Sequence, residues 1–110
     1  MRVEYEEKRN VVYSLLKILR TKQINEYHRK TIFNIVMRIP NKTIKQKMRF
    51  IDFYGLNPQN RKRCTLNSIA EENNCTANAI RTSVVTIKSA LTRISDEDIS
   101  ILKRIVNKHK

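Results

Sequence analysis

Asn78, Arg81, Thr82 and Val85 stand at i, i+3, i+4 and i+7, the spacing that places side chains on one face of a helix. An amide, a guanidinium, a hydroxyl and a branched methyl group are the groups that read base edges in a DNA major groove. Arginine pairs bidentately with guanine, asparagine with adenine, and an apolar tip meets the thymine methyl. Ser89 and Thr92 extend the face, and residues 77–94 contain no acid. A face that only meets solvent mixes signs, so we read these four residues as base-contacting. A second set suits phosphate oxygens: Arg61, Lys62 and Arg63 in the basic connector NPQNRKR (57–63), the hydroxyls of Thr65, Thr76 and Ser89, and Lys88 and Arg93. Lys42, Lys45, Lys47 and Arg49 add to the cationic stretch 41–63, which Asp52 alone opposes.

Other chemistries find no such constellation. Outside the run Asp96-Glu97-Asp98 no carboxylates are read as a catalytic pair, and no Ser-His or Cys-His arrangement follows from the spacing. The chain's one glycine cannot make a phosphate loop. His28 and His109 are distant and isolated in sequence, with His28 expected on the surface at the start of a second helix. Cys64 and Cys75 read as small apolar plugs in a reducing compartment. The expectation is a non-enzyme with no cofactor and no metal.

These side chains need helices to position them. With one glycine and two prolines, turn-rich β architectures are disfavoured. Residues 3–20 carry Val11, Val12, Leu15, Leu16, Ile18 and Leu19. A second helix, capped by Asn25, carries Ile32, Phe33, Ile35, Val36 and Ile39 and stops before Pro40. Asn41 is the expected cap of a third helix bearing Ile44, Met48, Ile51 and Tyr54, which Gly55 ends. Thr65 caps a short helix with Leu66, Ile69 and Ala70 on one face. Asn73 and Asn74 break it, and Thr76 caps the next, whose stripe is Ile80, Val84, Ile87, Leu91 and Ile94. Helix, short turn, helix is the helix-turn-helix layout. Ser95, with acids at 96–98, opens a last helix containing Ile99, Leu102, Ile105 and Val106. The reading is all-α with about six helices in one domain, 1–110: an N-terminal pair (1–39), the helix-turn-helix unit (40–94) and a C-terminal helix (95–110).

The formal net charge of +13, from 23 Lys and Arg against 10 Asp and Glu, opposes a compact state unless a polyanion is the partner. Double-stranded DNA is the expected partner. No apolar run approaches the roughly 20 residues of a bilayer span, and MRVEYEEKRN lacks a signal peptide's apolar centre. A membrane partner is therefore not expected, and the location read is cytoplasmic.

FYGL at 53–56, a polar connector, and TLNSIAEENNCTANAIR at 65–81 resemble region 4 of the bacterial RNA polymerase sigma-70 family. There an apolar helix ends in a Tyr-Gly-Leu corner, and a Thr-Leu-x-x-Ile-Ala helix precedes a recognition helix that reads a promoter element. Ile39-Pro40 is similar to the Leu-Pro that opens that region. The resemblance covers about residues 39–94. Asn73 stands where the family places a core leucine, Asn74 where it places the turn glycine, and Ser83 where an apolar residue is usual. The melting domain of a complete sigma factor is not evident in residues 1–38. The resemblance implies a stand-alone, sequence-specific DNA-binding transcriptional regulator of a bacterium, phage or mobile element, associated with the nucleoid, with recognition helix about 76–94. It also implies RNA polymerase as a candidate partner. Two rivals stand beside it: a protein-interaction module gripping RNA polymerase or another regulator, and a non-specific nucleic-acid-binding protein. The broad stripes at 3–39, or the last helix, would suit a homodimer reading two half-sites.

Overall fold

The computed structural model describes residues 4–60 and 62–109. They form six helices: α1 Tyr5–Thr21, α2 Glu26–Met37, α3 Ile44–Phe53, α4 Leu66–Asn73, α5 Ala77–Leu91 and α6 Asp96–Lys108. No strand occurs among the described residues, so the protein is all-α.

The helix boundaries follow local chemistry. Side-chain oxygens of Asn25, Thr65, Thr76 and Ser95 accept from the amides of His28 (2.7 Å), Ser68, Ala79 and Asp98 (3.1 Å each). Each fills one of the donors a helix start leaves open. Gly55 takes a left-handed φ of 68°, which turns the Leu56 amide back onto the Ile51 carbonyl at 2.9 Å and closes α3. One expected cap is corrected. Asn41 does not cap α3; it sits in a left-handed turn with φ 63°. Thr43 caps instead, because Gln46 stands three residues on and the two side chains satisfy each other's backbone amides.

One continuous core draws on all six helices. α3 packs along α5, α4 against α5, and α1 along α6, with α2 closing against α3 and α6. Val12, Leu15, Ile32, Val36, Phe50, Ile51, Ile80, Ile87 and Leu102 are fully enclosed. The stripes of the first two helices and of α6 are thus covered within the chain. Ion pairs seam the ends of the bundle: Lys8 to Asp96 at 3.0 Å, Lys103 to Glu7 at 2.6 Å and Arg38 to Asp98 at 2.9 Å.

The two histidines are not isolated, and His28 is not on the surface as expected. α6 lays its last turn against the first turn of α2, which buries His28 and sets its Nδ1 3.3 Å from His109 Nε2. Burial, then His109, then Lys108 hold the His28 pKa below the usual 6.5. No group of three or more candidate metal ligands occurs among the described residues. No helix among them is long and apolar enough to cross a membrane.

Candidate nucleic-acid interface

α4 and α5 are joined by three residues, Asn74–Thr76. Asn74 supplies the left-handed turn with φ 53° and ψ 47°, a conformation asparagine tolerates better than most residues. The Cys75 amide then reaches the Ala70 carbonyl at 3.1 Å. α5 leaves this turn with Ile80, Val84, Ile87 and Leu91 buried. Asn78, Arg81, Thr82, Val85 and Ser89 are exposed along its outer side. Val85, at 55% exposure, is an apolar tip set among polar neighbours. Thr82 donates its hydroxyl to the Asn78 carbonyl at 3.0 Å, so its free lone pairs leave it an acceptor toward a ligand.

The turn is held from inside by Arg49 of α3. Its guanidinium donates to Ser83 Oγ at 2.8 Å, to Asn73 Oδ1 at 3.4 Å and to Cys75 Sγ at 3.7 Å. The three polar or small residues that punctuate α4, the turn and α5 therefore share one partner. Two cations of the stretch 41–63 thus face inward, contrary to the expectation of a basic surface there: Arg49, and Lys47, which is buried with Nζ 2.8 Å from the Met37 carbonyl at the end of α2. Both satisfy polar groups that packing would otherwise leave without partners.

Two cationic rims flank α5. On one side α1 runs antiparallel to it: Lys8 Nζ lies 2.8 Å from the Ile94 carbonyl, and Lys88 Nζ sits 4.4 Å from the centre of the Tyr13 ring. Further along, Arg20 lines the same cleft as Arg63, Thr65, Asn67 and Arg81. Arg9 also lies over Tyr13, at 5.9 Å, and Lys17, Arg20 and Lys88 share a cleft with Tyr13 and Tyr54. On the other side, Lys42 joins Val85, Thr86, Ser89 and Arg93 around a third cleft. No described residue lining these clefts is acidic.

The expected phosphate set divides accordingly. Lys62 and Arg63 are exposed, and Arg63 is no free loop residue: its Nη1 donates to the carbonyls of Leu19 and Arg20 at the end of α1. Thr65 and Thr76 are exposed caps, Ser89 and Arg93 lie on the Lys42 side, and Lys88 turns toward α1. Arg61 lies outside the described residues. Within the connector, Asn57 Oδ1 accepts from Gln59 N–H at 2.9 Å and Asn60 Oδ1 from Lys62 N–H at 3.2 Å. Sequence reasoning missed Arg9, Tyr13, Lys17 and Arg20. They recur at i, i+4, i+8 and i+11 on the polar side of α1, a pattern visible in the chain but masked by the apolar stripe beside it. Cys64 is half-buried, and burial first, then Asp52 and Glu72, pushes its thiol up, so it is not primed as a nucleophile.

The helices and clefts define a small all-α protein in which α5 is flanked by cationic clefts with no acid among their described lining residues. Comparison with protein-family models, with curated proteins and with solved structures finds no match to this chain.

Proposed function

We propose that the protein binds double-stranded DNA through α5 and acts as a sequence-specific transcriptional regulator of the sigma region 4 kind. The observation that carries this reading is the exposed, acid-free face of α5 set between two cationic rims. A helix in the major groove presents its outer face to base edges, and the flanking phosphates then fall beside it. Asn78, Arg81, Thr82 and Val85 read bases. Lys17, Arg20, Lys62 and Arg63 hold one phosphate strand, and Lys42, Ser89 and Arg93 the other.

Gel retardation with a selected duplex and its scramble, over a salt series, tests the reading. Arg81→Ala is expected to lose about 1–3 kcal/mol of discrimination between them. Lys17→Ala with Arg20→Ala is expected to weaken both duplexes alike and to reduce the logarithmic salt slope by about 0.9 for each phosphate no longer neutralised. Full affinity and selectivity in Arg81→Ala would remove α5 as the reading helix. Failure of any duplex to bind would leave RNA polymerase or another regulator as the partner.

A further inference from the structure

We propose that the cleft between the end of α1 and the α3–α4 connector binds a small phosphate ester of mononucleotide size. The cleft holds about 330 Å³, at the small end of ligand sites. Leu19, Ile24 and Leu56 give it apolar walls, and Tyr54 adds an aromatic ring. Lys22, Arg29, Lys62, Arg63 and Gln23 line it as well, and none of its described lining residues is acidic.

Three of its cations are fixed in place before any ligand arrives. Lys22 Nζ donates to the His109 carbonyl at 2.6 Å. Arg63 Nη1 donates to the carbonyls of Leu19, at 3.3 Å, and Arg20. Arg29 donates to the Gly55 carbonyl. A neutral carbonyl orients a cation without cancelling its charge. Lys22, Lys62 and Arg63 therefore bring three positive charges to one concavity, and no described carboxylate pairs with them. Like charges converging in this way oppose folding, and a dianion between them reverses the sign of that interaction. Arg63 still has donors on Nε and Nη2, the fork that matches phosphate oxygens. The tyrosine ring and aliphatic walls suit the carbon portion of the ligand, which bare phosphate lacks.

The site shares Lys62 and Arg63 with the rim assigned to one phosphate strand, but no residue of α5 lines it, so the proposal does not need α5 to read bases. The phosphates of a nucleic-acid strand are the other source of the same chemistry. Amide NMR shifts, followed at constant ionic strength against adenosine monophosphate, inorganic phosphate and a short DNA duplex, separate the sources. The expected result is saturable shifts confined to the amides around Lys22, Gln23, Ile24, Leu56 and Lys62, with the nucleotide tighter than inorganic phosphate. Lys22→Ala with Lys62→Ala is expected to raise the nucleotide dissociation constant about tenfold or more, as is Gln23→Glu, which puts a carboxylate on the rim. Lys42→Ala with Arg93→Ala, on the far rim, should leave it unchanged. The spectra themselves report whether each variant is folded. Shifts spread over the whole basic surface, equal weakening by the far-rim variant, or a response to the duplex but not to the nucleotide would each overturn the proposal.

Discussion

Arg49 explains residues that look misplaced when each is taken alone. A half-buried guanidinium needs acceptors, and Asn73, Cys75 and Ser83 supply them. Replacing the arginine by methionine keeps the aliphatic bulk and removes the donors. Arg49→Met is expected to cost about 1.5–3 kcal/mol in urea unfolding, the worth of hydrogen bonds from a charged donor. In the double variant with Ser83→Ala, the two costs should fall short of additivity by at least about 0.5 kcal/mol; strict additivity would mean that the hydrogen bond between them carries no energy. His28 makes a different kind of statement. Its folded pKa lies below its unfolded value, so the unfolded chain takes up the proton first. Stability is then full above about pH 6.5 and falls as the pH drops from there toward the folded pKa. Thermal unfolding followed from pH 7.5 to 5.5 should show this loss, and His28→Gln should flatten the part of the slope that belongs to this ring.

At the scale of the element, the turn between α4 and α5 sets where the outer face of α5 points. Asn74→Gly keeps the left-handed residue and should be nearly neutral. Asn74→Val forces a branched side chain into that region and is expected to cost about 1–2 kcal/mol, read from the urea midpoint. Equal midpoints for the two variants would show that the turn adopts another conformation. Helices were the legible part of the sequence. Apolar residues recur at helical spacing in every element, and four of the five caps that the pattern named are the caps observed. Asn41 failed because two cap-forming residues stand within three positions, and only Thr43 has a glutamine placed to complete the box. The outer face of α5 was legible for the same reason, a single helix with polar residues in register, except at Thr92, which the end of the helix buries with its hydroxyl on the Ser89 carbonyl. The α1 rim was not, since it depends on α1 lying antiparallel to α5, a pairing between residues 8 and 94 that no local pattern encodes. Nor was the pairing of His28 with His109, which the return of α6 creates across 81 positions.

Across the whole molecule, charge is sorted. Glu7 at the start of α1 and Asp96 and Asp98 at the start of α6 pair with Lys103, Lys8 and Arg38, while no described residue lining the clefts beside α5 is acidic. The apolar stripes that could have served a second copy are covered by the other helices, and the large apolar side chains left exposed, Tyr5, Tyr13, Tyr27, Ile44 and Val85, are dispersed along the sequence. Light scattering is therefore expected to give the 13.1 kDa of one chain at micromolar concentration; a mass twice as large would show that a surface beyond these stripes supports pairing. The seam between α1 and α6 also governs how the chain reaches its fold. The first helix closes its apolar side against a helix that begins more than 70 residues later, so the bundle is a high-separation contact and its closure is slow relative to its local helices. On a ribosome, Val11, Leu15 and their neighbours wait uncovered while some ninety further residues are made. During that interval α3, α4 and α5 can pack together, while the seam of α1 with α6 waits for α6.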